Sequence, residues 1–271
     1  MDIKLKGDFL ILITKDMHIT KEEKLQVPTK TSESVRLGVL LAIVGGFLDG
    51  YTFICRGGVF ANAQTGNIVL FGVEITKGNF RQAFMAFLPI LAFIIGIVVT
   101  EKIKDFRFPS SISVTYSDRI ILLIEIIVLF IIGFIPSTVP DAFVTIPISF
   151  VSSVQIASFA KLVDSPYSTT MCTGNLRSAS QAAYKAFVKK DSNSAIITAR
   201  YAIIIFSFII GCCFSGILTS QIGVKSIWFA VIILILSLSL YSIDEYRFKS
   251  REKRTGKSEK KSFQILNYFK G

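Results

Sequence analysis

Few residues in this chain could do chemistry, and most of them stand in apolar surroundings. Asp49 follows Gly45-Gly46-Phe47-Leu48, and Glu125 lies within Ile120–Ile135. A carboxyl group at membrane depth is costly unless it is paired or hydrated, so both are candidates for carrying a proton or binding a cation. Asp49 is the stronger of the two, because it adjoins glycines and lies just ahead of a polar stretch. Glu125 is near enough to one end of its segment for snorkelling to the membrane edge to compete with a buried role. Arg200, near the start of another apolar segment, is a charge partner for either or an anchor for lipid headgroups. Gln155 offers an amide within an apolar segment, for a pore lining or an interhelical hydrogen bond.

The largest polar group is Gly57-Gly58-Val59-Phe60-Ala61-Asn62-Ala63-Gln64-Thr65-Gly66-Asn67. It is too glycine-rich for an ordinary membrane helix and too poor in charge for an ordinary surface loop. Its closing Thr65-Gly66-Asn67 returns as Thr173-Gly174-Asn175 ahead of a second helical pattern. Threonine or asparagine can cap a helix start, and glycine permits close approach. A helix N-terminus at membrane depth offers free N–H donors and partial positive charge, which suits an anion or a polar solute. The candidate binding set is therefore Asp49, Asn62, Gln64, Thr65, Gly66, Asn67, Gln155, Thr173, Gly174 and Asn175. The plainer alternative is that both motifs only cap short helices and pack the two halves together.

Composition supplies the setting. Of 271 residues, 51% are hydrophobic and 18% charged, and the mean hydropathy is +0.58. The apolar residues fall in blocks of roughly 17–25, the length of a helix that crosses a bilayer. Six such spans are expected: 36–55, 83–100, 120–135, 142–160, 195–218 and 228–243, with Pro89 and Pro147 as kinks. Between them Ile68–Thr76 reaches only about half a bilayer, as a re-entrant half-helix or the start of a broken span. Leu176–Val188 is helical in pattern with a basic side.

The net charge of +11 does not point to nucleic acid, because Lys and Arg cluster at the termini and in particular loops and no nucleic-acid module is present. The leader, the 101–118 loop, the 161–194 loop and the tail hold nearly all the basic residues. The intervening loops hold only Arg56, Lys77, Arg81 and Lys225. Positive charge resists translocation, so both termini are expected in the cytoplasm of a multi-pass plasma-membrane protein. Thr65-Gly66-Asn67 then follows the first span on the outer side, and Thr173-Gly174-Asn175 follows the fourth on the inner side. Three spans per half is an odd number, so the halves form an inverted 3+3 repeat, as in many transporters and channels. Basic residues recur at matching offsets, Lys77 with Lys185 and Arg81 with Lys189. The domain plan is a basic leader over 1–35, one membrane domain over 36–243 (repeats 36–137 and 141–243) and a basic tail over 244–271. Met17 offers an alternative start, and Phe263–Phe269 could lie on an anionic membrane surface.

The run from Gly45 to Phe53 and from Arg56 to Gly72 resembles the signature of the YoaK-like family, bacterial multi-pass membrane proteins of unknown function. The matching residues are Asp49, Phe60, Thr65, Gly66 and Asn67, with Thr173, Gly174 and Asn175 in the second half. The resemblance implies an integral plasma-membrane protein of about this size and supplies neither substrate nor mechanism.

No catalytic set accompanies these residues. The one histidine, His18, lies in the leader, the four cysteines form no Cys-x-x-Cys, and there is no Walker motif and no Gly-x-Ser-x-Gly. The expectation is an all-α polytopic membrane protein that is not an enzyme, uses no cofactor or metal, and moves a small polar solute or ion. A non-transporting membrane scaffold that binds lipid or a partner protein is the alternative. The oligomeric state is open.

Overall fold

The computed structural model describes residues 31–105, 113–244 and 246. The Met17 start, His18 and the segment 263–269 lie outside them. The described chain is almost wholly helical: α1 Val35–Cys55, α2 Gln64–Thr76, α3 Phe80–Asp105, α4 Ser113–Ile132, α5 Ala142–Ser158, α6 Cys172–Val188 and α7 Ser192–Ile222. A 3-10 turn at Gly223–Ile227 follows, then a last helix, α8, over 228–244. The only strands among the described residues form a two-residue hairpin, Lys161–Leu162 with Ser165–Pro166.

Three stretches, Val35–Cys55, Phe80–Asp105 and Ser192–Asp244, are long and apolar enough to cross a membrane. The third is not one rod. Phe214 and Phe229 stack with ring centroids 5.1 Å apart, whereas on a straight helix they would be about 22 Å apart. The chain therefore folds back at the 3-10 turn, where Gly223 takes a left-handed φ of 60°. α4 has the length of a span but carries Asp118, Arg119 and Glu125.

Contacts between helix ends define two ends of the bundle. At the near end, Arg36 pairs with Asp244 at 3.2 Å and the Val163 N–H donates to Glu33 O. There too Tyr241 Oη meets Asp118 Oδ2 at 3.4 Å, and Lys104 Nζ donates to Ala157 O. At the far end Arg56 donates to the carbonyls of Ile135 and Pro136, and Trp228 Nε1 donates to Phe130 O. Helices α1, α3, α4, α5, α7 and α8 thus alternate in direction along the chain. Ser34 caps α1, accepting from Leu37 N, and Asp191 caps α7, accepting from Asn193 N.

The packing has a pairwise pattern. α1 packs on α7 as α5 packs on α3, and α2 lies on α3 as α6 lies on α7. α4 meets α5, and α8 meets α1 through Phe47 and Phe229. Backbones touch where α1 crosses α7. A Cβ on Gly46 would fall 2.0 Å from Phe208 O, and one on Gly211 would fall 2.1 Å from Ile43 O. α3 and α5 cross in the same manner at Gly96, beside Phe150 O and Ser153 Oγ. The core runs from α1 through α4, α5 and α8, with Leu41, Val44, Phe47, Leu122, Leu129, Ile148, Val151 and Leu234 fully enclosed. Outward faces are apolar, with Ile94, Ile127, Phe206 and Ile232 all about half exposed, as expected for a surface covered by hydrocarbon.

Candidate functional site

The site begins where α1 ends. Gly57 and Gly58 both take left-handed φ, 75° and 73°, a conformation only glycine adopts without penalty. They turn the chain back toward the bundle. The next four residues run inward along α1 and deliver Asn62 to its midpoint. Asn62 Nδ2 donates to Gly45 O at 2.8 Å, its N–H donates to Asp49 Oδ1 at 3.1 Å, and its Oδ1 accepts from Ser152 Oγ of α5. Ser149 Oγ donates to Ala61 O, and Ala61 N donates to Thr52 Oγ1. α2 starts from this depth and runs back to the far end. Its 13 residues are about 20 Å long.

The second half builds its counterpart from the near end. After α5 the hairpin reverses the chain, anchored by Tyr201 Oη donating to Pro166 O. The segment 167–171 then runs inward. Asn175 closes this loop on itself: its Oδ1 accepts from Ser168 N at 3.0 Å and its Nδ2 donates to Ser168 O at 2.7 Å. Thr169 Oγ1 donates to Gln155 Oε1 at 2.7 Å. Gln155 Nε2 in turn donates to both oxygens of Glu125, at 2.9 and 3.2 Å.

The two turns meet on one residue. Gly45 accepts from Asn62 through its carbonyl, and the position of its absent Cβ lies 2.6 Å from Thr169 O and 2.9 Å from Thr170 Cγ2. One helical turn further, Asp49 is 6% exposed, and Cys172 and Cys212 are within electrostatic reach of it. Cys212 Sγ is 3.2 Å from Gly46 O. Two hydroxyls here are buried without a hydrogen-bond partner, Thr170 Oγ1 and Ser215 Oγ. Ser215 faces Gly50, next to Asp49.

Several sequence expectations change in this light. The Thr-Gly-Asn motifs do not cap their helices. α2 and α6 begin at Gln64 and Cys172, so the motif lies inside the first turn, and the cap positions, Ala63 and Met171, make no side-chain cap bond. Thr65, Gly66, Thr173 and Gly174 point outward, and nothing approaches within 4 Å of a Cβ placed on either glycine. Only the asparagines are buried, and Asn67 bonds to Gln64 Oε1 rather than across the bundle. Glu125 does not snorkel. α4 begins earlier than its apolar run, which puts Glu125 three turns in and 1% exposed. Asp49 takes its hydrogen bond from the backbone N–H of Asn62 in the chain reversal, not from Arg200. Arg200 has no hydrogen bond or ion pair with Asp49 or Glu125 among the described residues. No group of three or more His, Cys, Asp or Glu that could hold a metal occurs there either.

Ser149, Ser152, Thr169 and Arg56 were absent from the sequence-derived set. The serines carry a signal in retrospect, since Ser149 and Ser152 are three apart on one face of α5, as is Gln155 three further on.

Long apolar helices around an enclosed network of carboxyl, amide and hydroxyl groups define an all-helical membrane protein. Within that class the chain belongs to the DUF1275 family, described as a protein of unknown function, whose model matches residues 37–240. It is 28% identical to the UPF0700 transmembrane protein YoaK of Bacillus subtilis (strain 168). That match covers 146 residues, 51% of this chain and 62% of the relative's length. No solved structure matches.

Proposed function

We propose that this chain is a permease that passes a small polar solute or ion between its two halves, with Asp49 at the binding position. The carrying observation is the convergence of two polar turns, from opposite ends of the bundle, on Gly45 beside Asp49. Non-helical backbone at membrane depth needs protein or a water-filled cavity around it, and a helix start there presents donors to a polar guest. The unpaired hydroxyls of Thr170 and Ser215 are the groups such a guest would engage. In this conformation the network is closed around Asn62, Gln155 and Asn175, all buried, so passage requires the turns to separate from α1.

This reading takes α1, α3, α4, α5, α7 and α8 as spans and the halves as an inverted 3+3 repeat. The paired packing of α1 with α7 and α5 with α3 supports it, as does the landing of both short helices at one depth. The near end is read as cytoplasmic from the distribution of Lys and Arg, in a bacterial plasma membrane, with no catalytic role, cofactor or nucleic-acid partner.

A second reading has its own observation. Asp49 and Glu125 already have amide partners, as they would in a scaffold whose turns serve packing alone. Cys172 separates the two. In a Cys55→Ser, Cys212→Ser, Cys213→Ser background, right-side-out and inside-out vesicles are treated with a charged maleimide that does not cross lipid. A permease is expected to expose Cys172 to the reagent from one side within minutes to hours. Cys172 that stays unmodified from both sides, yet reacts fully after denaturation, would sink the permease and leave the scaffold.

A further inference from the structure

The two short helices match in packing but not in charge. On the first, Lys77 Nζ donates to Glu74 Oε1 at 2.8 Å, and Asn79 Nδ2 donates to Glu74 Oε2 at 2.8 Å. That pairing takes up the Lys77 charge. The equivalents on α6, Lys185 and Lys189, form no ion pair among the described residues. Asp191 is within electrostatic reach of Lys185 but is committed elsewhere. It accepts from Ser194 Oγ at 2.5 Å and from Asn193 N at 3.2 Å. The Ser194 bond is the first cause holding its carboxyl below the ordinary carboxylate range.

Lys185 and Lys189 instead share one open face with Ser180, Gln181 and Tyr184, a shallow surface groove lined by this helix end alone. Its surroundings are apolar as well as basic, with Tyr184 58%, Phe187 75% and Val188 61% exposed. The groove lies on the last turns of α6, at the bundle end that also carries Arg36 and Lys104. A charged rim over an apolar flank at a membrane boundary matches one ligand chemistry: a phosphate ester continuous with hydrocarbon.

We propose that this groove is a binding site for an anionic phospholipid of the bilayer leaflet at the near end. Lys185 and Lys189 hold the phosphate, and Ser180 and Gln181 donate to its oxygens or the glycerol. Tyr184 and Phe187 pack along the first methylenes of the acyl chains. The site is independent of transport and holds for a scaffold equally. At the other end the Glu74 pairing occupies Lys77, and only Arg81 is left without an ion pair among the described residues.

The test uses the full chain purified in detergent and analysed by native mass spectrometry. Dioleoylphosphatidylglycerol and dioleoylphosphatidylcholine compete for it, with inorganic phosphate in a separate arm. Wild type is expected to retain phosphatidylglycerol over phosphatidylcholine. Lys185→Gln with Lys189→Gln should cut that preference by at least about fivefold, since each lysine near an anionic surface contributes on that order. Lys185→Arg with Lys189→Arg should keep it, as should Lys77→Gln with Arg81→Gln. Equal retention of the two lipids by wild type overturns the proposal without reference to any variant. So does an equal loss in the Lys77/Arg81 variant, which would mark general charge attraction. Full displacement of phosphatidylglycerol by millimolar inorganic phosphate would make the groove a free-anion site and also overturn it.

Discussion

Gly46→Ala is expected to lower the melting temperature of the purified protein by roughly 6–12 °C, a loss of about 3 kcal/mol. The added methyl would sit 2.0 Å from Phe208 O and 2.8 Å from Phe208 C, both backbone atoms of α7. A clash with the tip of a side chain can be relieved by a rotamer change, but this one cannot. α7 would have to move, and on the other side of the same crossing Gly211 is equally tight against Ile43 O and Phe47 N. Small residues matter at such crossings because helices in lipid gain little from apolar burial and depend on close contact. Gly66→Ala and Gly174→Ala serve as the contrast. Nothing lies within 4 Å of either added methyl, and alanine is the better helix former by up to about 1 kcal/mol, so both variants should melt at or slightly above the wild-type temperature. The measurement is a thermal melt followed by loss of the monodisperse peak in detergent. Wild-type melting of Gly46→Ala would mean that α1 and α7 are not in backbone contact.

The same contrast shows where sequence reading succeeds. Blocks of apolar residues have a length set by the bilayer, so α1, α3 and the last two helices lie close to where the blocks predict them. The short α2 is legible for the same reason, since 13 residues cannot span. Which glycines pack is not legible, because motif and non-motif glycines look alike in one sequence. The repeated Thr-Gly-Asn draws attention to Gly66 and Gly174, yet the close contacts fall on Gly45, Gly46, Gly96 and Gly211. Glu125 lies one or two turns into the apolar run that begins at Ile120, but α4 itself begins at Ser113, which places Glu125 deeper. Among cations and a backbone break as partners for Asp49, a sequence makes only the cations visible by residue type. The partner is a backbone N–H at Asn62, delivered by a chain reversal that depends on two successive left-handed glycines.

Arg56→Leu is the second variant expected to have a large effect, at about 3 kcal/mol of lost stability from two hydrogen bonds to a charged group, seen as a sharp fall in folded protein recovered from the membrane. In the sequence Arg56 is one of the few basic residues on the supposed outer side, as though it were an exposed loop charge. In the structure it is the largest fully buried side chain, at 0% exposure. Its Nη2 donates to Ile135 O at 2.8 Å and its Nη1 to Pro136 O at 3.2 Å, with Asp141 Oδ1 4.0 Å away. These carbonyls belong to the turn after α4, whose last C=O groups have no helical partners of their own. One guanidinium thus ties the end of α1 to the α4–α5 connection. It does so from the residue just before Gly57, where the polar stretch turns inward. The Asp141 contact contributes least, being long and to a carboxylate with a side chain 45% exposed. Asp141→Asn should therefore cost under about 1 kcal/mol, while Arg56→Leu removes two charge-assisted hydrogen bonds to the Ile135 and Pro136 carbonyls. Arg56→Lys should recover little, because an ammonium cannot span both carbonyls with the geometry of the planar fork. If Asp141→Asn proved as damaging as Arg56→Leu, the ion pair rather than the carbonyl clamp would hold this end of the bundle.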